Sequence, residues 1–409
     1  MKLYLISVAT WIGFSLLSIL LGSQSFLIFV VFRSLAAAAS AVFGVLSPVV
    51  LADLFRDRAL GIVLMLMTTC EQLTGSIISG IASSFIVSIG LPWQSGLLPG
   101  PLLSLIPLAG LLCCLQSVPR DNVQRNKNVC SGAFGVLSIK SFTIMTAGLA
   151  LGAFHARAKM FWGPSIILSA WSYAPSPFLG LSYPSVTAIY SFIMLAGNLL
   201  GMPLILWFAQ CWNHGTGPFS GRSGYAGAYP IVTGVGGLLN FAMYILYLLA
   251  LDKSFAACLV PTFLVGVGSA AFVTLSQLMQ LMVLPSHSRA AAIALSRMIS
   301  GIVSTPSAQI VGFLSDTFRG DSTLDVDRFH AYQQAMMCSS LMLFVSAICF
   351  LTLIVFFERD CKRAEEGEGS NEQVEVNEST NLIEKSKSRS ESVLSVIIRS
   401  RAQTFENFQ

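Results

Sequence analysis

From the N-terminus onward, apolar side chains fill runs that recur about ten times, and polar or charged residues collect in the gaps between them. The runs cover 3–21, 26–51, 59–89, 97–115, 141–169, 184–209, 229–251, 256–283, 289–314 and 333–357. Each is close to or above the roughly 20 residues that a helix rising 1.5 Å per residue needs to cross a bilayer. The third is over-long, so its last turns lie outside the membrane or the helix tilts. The pattern predicts an all-α polytopic membrane protein with about ten transmembrane helices.

The connections give an orientation. Alternate gaps carry Arg56 and Arg58, then Arg120, Arg125, Lys127 and Lys140, then Arg222, then Arg289, with Arg359, Lys362 and Arg363 after the last run. The intervening gaps 22–25, 90–96 and 170–183 hold no Lys or Arg; Lys253, Arg319 and Arg328 are the exceptions. Basic loops stay in the cytoplasm, so both termini are expected there. The domains read as a partial N-terminal helical half of four spans (1–115), a cytoplasmic mid-loop (116–140), a six-helix C-terminal half (141–357) and a disordered cytoplasmic tail (358–409).

Composition narrows the function classes. Charged residues make up 11% of the 409-residue chain and hydrophobic ones 54%, against about 25% charged in soluble domains. The net charge of +4 comes from loops and tail. No basic patch with interleaved aromatics points to nucleic acid. The nine Cys lie mostly inside apolar runs, without metal or disulfide spacing. Neither a nucleophile elbow nor a phosphate-cradling loop is present, so no enzyme, cofactor or metal is implied. Uphill transport would have to draw on an ion gradient or the substrate's own.

Ionisable groups inside the apolar runs are the candidate chemistry, because each costs about 2.5–3.5 kcal/mol to insert. Arg33 lies in the second run, with Ser40 seven residues on along the same helix face and small residues between them. It either faces a polar cavity or snorkels to the outer interface. Glu71 in the third run is a candidate proton carrier, the structural partner of an Arg, or a shallower residue than the pattern suggests. The fifth run carries His155, Arg157 and Lys159. His155 and Lys159 share a face at i,i+4, and Arg157 lies about 200° around. Such cations suit an anionic head group, unless the pair Arg157 and Lys159 sits at an interface. Arg297 lies close to the cytoplasmic end of the ninth run. In the tail, Glu378 followed by Leu382 and Ile383 resembles an acidic dileucine sorting signal, or is a plain aliphatic pair.

The order of short motifs resembles a known family. Arg33-Ser-Leu-Ala-Ala-Ala-Ala-Ser-Ala-Val-Phe43, Ser47-Pro48, Ala52-Asp53-Leu54-Phe55 and Arg58-Ala-Leu-Gly61-Ile62 are followed by Trp162-Gly-Pro164. Val283-Leu-Pro285, Arg289-Ala, Ser304-Thr-Pro306 and Gly312-Phe-Leu-Ser315-Asp316 come later. Together they resemble the Spinster family of lipid transporters in the major facilitator superfamily. The resemblance implies that Arg33 stands in the fourth helix, so the expected fold is a major facilitator fold lacking the first two helices. An incomplete gene sequence or isoform is the expected reason, ahead of a diverged member that lost helices. Two departures follow. The family's helix-four glutamate is Ser40 here, and the usual partner of Asp53 would lie in the missing part. Asp53, Arg58 and Arg297 are expected in structural or gating roles.

The expected function is a transporter, by alternating access, of a lipid such as a sphingolipid or lysophospholipid, in a lysosomal, late endosomal or plasma membrane. The expected partners are a lipid or amphipathic anionic small molecule, the membrane and protons. Arg33, Ser40, His155, Arg157 and Lys159 would bind substrate, with Glu71 coupling protons. Two alternatives stay open: a non-transporting scaffold or regulator of a full-length relative, and a facilitator of another organic anion.

Overall fold

A computed structural model of the chain describes residues 2–22, 25–55, 57–75, 92–114, 135–173, 178–220, 224–285, 288–364 and 366. Among them every regular element is helical. In chain order these are α1 (Lys2–Gly22), α2 (Phe26–Leu54), α3 (Asp57–Gly75), α4 (Pro99–Cys114), α5 (Lys140–Tyr173) and α6 (Tyr183–His214). Then come α7 (Ala228–Ala250), α8 (Phe255–Val283), α9 (Arg289–Ser304), α10 (Ser307–Arg319) and α11 (Asp325–Thr352). In lipid a helix is the one open-ended structure that satisfies its own backbone, which is why nearly unbroken apolar sequence takes this form.

Local chemistry sets several ends. Ser254 accepts a hydrogen bond from the Ala257 N–H and caps α8. Gly215 takes a left-handed φ of 62° and closes α6, a conformation that costs glycine least. Pro48, Pro164, Pro203 and Pro261 sit inside helices, where neighbouring helices can satisfy the freed carbonyls. Pro306 does interrupt: it separates α9 from α10 within the ninth run. The two pieces together still form one apolar stretch, Arg289–Arg319.

Among the described residues, seven stretches are long and apolar enough to cross a membrane: α1, α2, α6 extended to Phe219, α7, α8, α9 with α10, and α11 with its last turn. The chain is a multi-pass membrane protein. The other three predicted runs are helical where described. α3 is described to Gly75 of the predicted 59–89, and 76–91 lies outside the described residues. α4 is described over 16 residues. α5 is 34 residues long but carries Arg157 and Lys159 at its middle.

Helices α5 to α11 pack closely among themselves. α8 runs against α6 and α7, α11 against α5 and α7, α9 against α5, and α10 against α11. Glycine makes two of these crossings tight. A Cβ on Gly266 would lie 3.0 Å from the Gly197 Cα, and one on Gly268 would lie 2.7 Å from the Gly236 carbonyl oxygen. Backbones therefore touch across α6–α8 and α7–α8, the small-residue contact that replaces hydrophobic drive in lipid. Phe142, Met145, Tyr244, Tyr247, Phe329 and Phe350 fill the remaining interior.

On the N-terminal side, α1 packs on α2 and α4. α2 is the least buried of the seven stretches; it reaches α9 and α8, while α3 lies on α6 and α8. The chain from Cys361 onward is a second unit, of which 361–364 and 366 are described, as helix.

Candidate functional site

α5 is the helix on which the site is built. Its N-terminus is anchored by Asp360, whose Oδ2 accepts from the Ser141 N–H at 3.1 Å and the Ser141 hydroxyl at 2.7 Å. A carboxylate at a helix N-terminus satisfies first-turn N–H groups and the helix dipole together. Further along, the Ser346 hydroxyl of α11 donates to the Gly148 carbonyl at 2.6 Å. Near the far end the Trp162 indole N–H donates to the Ala308 carbonyl at 2.8 Å. These three ties fix how far α5 is inserted, and so where its midpoint charges lie.

At that midpoint a cavity of about 350 Å³ opens among α5, α7, α8, α9 and α11, with Pro48 of α2 at its edge. His155 and Lys159 both line it, one helical turn apart. His155 is buried; its Nδ1 lies 3.3 Å from the Ser339 hydroxyl, and its ring meets Tyr244 edge-on at 4.7 Å. Its Nε2 is buried without a hydrogen-bond partner. Arg157, two residues from His155, is exposed on another face and does not line the cavity. A turn of 3.6 residues cannot bring all three to one side.

The opposite wall is polar in a regular way. On α8, Ser269, Ser276, Gln277 and Gln280 line the cavity. Gln280 Nε2 donates to Ser296 Oγ of α9 at 2.8 Å, and Asn240 Nδ2 of α7 donates to Ser269 Oγ at 3.0 Å. The Asn240 Oδ1 and Gln277 Oε1 are buried and unpartnered. Arg297 of α9 completes the lining. Among the described residues, the cavity thus gathers two cations, a histidine, amides and hydroxyls, and no Asp or Glu. Buried polar atoms without partners are uncommon in native proteins and mark places where water or a ligand belongs.

The other expected site residues fall elsewhere. Arg33 is exposed on α2 and Ser40 donates to the Ala37 carbonyl of its own helix; neither lines the cavity. The small residues around them are mostly exposed, Ala36 excepted, so this stretch of α2 does not face the packed interior. Arg58 Nη2 donates to Thr216 Oγ1 at 3.2 Å, joining α3 to the end of α6. Asp53 is exposed at the end of α2. Glu71, exposed on α3, interacts electrostatically with Arg297. Glu378, Leu382 and Ile383 lie outside the described residues.

Sequence reasoning passed over Asn240 and the α8 face. The signal was there: Ser269, Ser276, Gln277 and Gln280 recur at offsets 0, 7, 8 and 11 of an otherwise apolar helix. Those offsets draw a single stripe down one side. Uncharged polar residues were overlooked because they cost little to insert.

Comparison with known proteins gives the same direction. No family model matches the chain. Protein spinster homolog 1 of Xenopus tropicalis is 24% identical over 378 residues, spanning 88% of this chain and 69% of that protein. Protein spinster of Drosophila melanogaster is 25% identical over 209 residues, 49% of this chain and 34% of that protein. A crystal structure of a bacterial homolog to the human lysosomal transporter Spinster, inward-facing and occupied, superposes with a TM-score of 0.57 at 15% identity. That match covers 87% of this chain and 83% of the other. The major facilitator transporter FucP in its outward conformation gives 0.56 at 14% identity, over 88% and 82%. The chain is similar in sequence to Spinster proteins over most of its length, and its fold is that of major facilitator transporters.

Proposed function

We propose that this transporter carries an amphipathic anion of the lysophospholipid or sphingolipid class, moving it by alternating access. The observation that carries the reading is the make-up of the cavity: Lys159 and Arg297 without a carboxylate, next to the orphaned carbonyl oxygens of Asn240 and Gln277. Cations bind an anionic head group, and free carbonyl oxygens require donors. A head group with both a phosphate and a hydroxyl or ammonium meets both demands at once. Phe272, Val273, Ile293 and Leu343 supply apolar wall for the start of a hydrocarbon chain.

The cavity volume supports a second reading, an organic anion small enough to be enclosed, since about 350 Å³ is at the low end for ligand sites. The similarity to a bacterial homolog of the human lysosomal transporter Spinster and the Glu378-Leu382-Ile383 pattern favour a late endosomal or lysosomal membrane over the plasma membrane.

The test is flux of radiolabelled oleoyl lysophosphatidate in proteoliposomes, beside a short-chain organic phosphate. Lys159→Gln should reduce lysophosphatidate flux about tenfold or more, the loss of one charge-assisted contact. Flux unchanged by that substitution would remove the cavity as the site; transport of the short phosphate alone would select the second reading.

A further inference from the structure

Two polar groups of the cavity wall have their hydrogen-bonding roles fixed by their other contacts. The Ser339 hydroxyl of α11 donates to the Met336 carbonyl at 2.9 Å. Its one hydrogen is thereby committed, and toward His155 its oxygen can only accept. Nδ1, 3.3 Å away, therefore carries the hydrogen of the neutral imidazole, and Nε2 is left as an acceptor. Asn240 is oriented by the same logic. The Ser269 hydroxyl donates to the Val265 carbonyl at 2.8 Å, so it accepts from Asn240 Nδ2 at 3.0 Å. That contact decides which end of the amide is Oδ1. Both His155 Nε2 and Asn240 Oδ1 are buried without a partner, and both residues line the cavity.

The packing brings these two acceptors to neighbouring turns. The His155 ring meets Tyr244 at 4.7 Å, and Tyr244 stands one turn from Asn240 on α7. Lys159 follows His155 by about 6 Å along α5. The third orphaned acceptor is elsewhere: Gln277 lies about 12 Å along α8 from Ser269. It belongs to the end of the cavity where Gln280 bonds Ser296, and where Arg297 Nη1 sits beside Gly44 of α2, 2.7 Å from where a Cβ would stand.

We propose that His155 Nε2 and Asn240 Oδ1 form a paired acceptor that selects the head group by its N–H donors, taking a primary ammonium beside the phosphate held at Lys159 in preference to a quaternary one. The inference rests on the cavity being the anion site. A primary ammonium has three N–H groups and satisfies both acceptors at once. A trimethylated nitrogen has none and leaves both buried and unpaired. Quaternary ammonium is instead held by cages of aromatic rings, and in the described lining Phe272 is the one aromatic side chain besides the imidazole of His155.

Equilibrium binding of radiolabelled oleoyl lysophosphatidylethanolamine and oleoyl lysophosphatidylcholine to the purified full chain, read by scintillation proximity, tests it. The two lipids share chain, glycerol and phosphate and differ in the methylation of the nitrogen. The ethanolamine lipid should bind about tenfold or more tighter. His155→Phe should weaken it more than the choline lipid and cut the preference to about threefold or less. Asn240→Leu should do the same and serves if His155→Phe does not fold. Lys159→Gln acts through the shared phosphate and should weaken both lipids alike. Equal affinities in the parent, or a choline preference, with both lipids still weakened by Lys159→Gln, overturn the paired acceptor and leave the site intact. An ethanolamine preference that survives both His155→Phe and Asn240→Leu overturns it as well. Lack of saturable binding of either lipid, or indifference of both to Lys159→Gln, overturns the site reading and the inference with it.

Discussion

Replacing Asp360 by alanine should loosen the helix that carries the site, by an amount the geometry bounds. One carboxylate oxygen receives two hydrogen bonds from Ser141, at 3.1 Å from the N–H and 2.7 Å from the hydroxyl. Both residues are buried, Ser141 completely. The N–H belongs to the first turn of α5 and has no partner within the helix. A hydrogen bond to a charged group contributes about 1.5–3 kcal/mol net. Two bonds sharing one oxygen, at a helix end that water can partly rehydrate, should together be worth about 2–4 kcal/mol. That is about 30- to 1000-fold in the folding equilibrium. Unfolding in mixed SDS micelles, followed by tryptophan fluorescence, reads it. A double-mutant cycle with Ser141→Ala isolates the hydroxyl bond, for which a coupling of about 1–2 kcal/mol is expected. An Asp360→Ala protein within about 0.5 kcal/mol of the parent, or strict additivity with Ser141→Ala, would refute the anchoring role.

Two further outcomes follow from the packing and the cavity. Gly197→Ala places a methyl against the Phe263 carbonyl. Backbone cannot step aside as a side chain can, so α6 and α8 must part, at a cost of about 1–3 kcal/mol in the same unfolding assay. Asn240→Leu removes an unpartnered acceptor from the cavity. It should weaken binding of lysophosphatidate about threefold or more, yet spare a monoalkyl phosphate that has no hydroxyl to donate; equal losses for both would mean that Asn240 does not read the hydroxyl.

The fold was legible because lipid leaves a chain few choices. An apolar run of membrane length must be helical whatever its detailed residues, so α1, α2, α6, α7, α8 and α11 could be read from composition and length. What composition hides is the local exception. Pro306 divides α9 from α10 although hydropathy runs through it. α5 is less uniformly apolar because it carries charges at its midpoint, of which Lys159 lines the cavity and Arg157 is exposed on another face. The candidate site was legible only in part. His155 and Lys159 stand out as costly ions one turn apart, and the structure brings them to one wall. Arg33 carries the same cost but is exposed on α2. Insertion cost marks a residue as unusual without saying which side of its helix faces inward. That side is decided by neighbours such as Ala347 against Gly237, far away in sequence.

The cavity's one-sided wall has a thermodynamic consequence. Except for Pro48, its lining comes from helices that pack together as one group. If the protein alternates between two facing states as proposed, a ligand that touched this group alone would bind both equally well. Equal affinity for two states shifts no population, however tight the binding. The free energy that biases reorientation must then enter where the wall meets α2, at Pro48 and at the Arg297–Gly44 contact. A substitution there would change the balance between facing states with little effect on intrinsic grip. One deep in the α8 stripe would do the reverse.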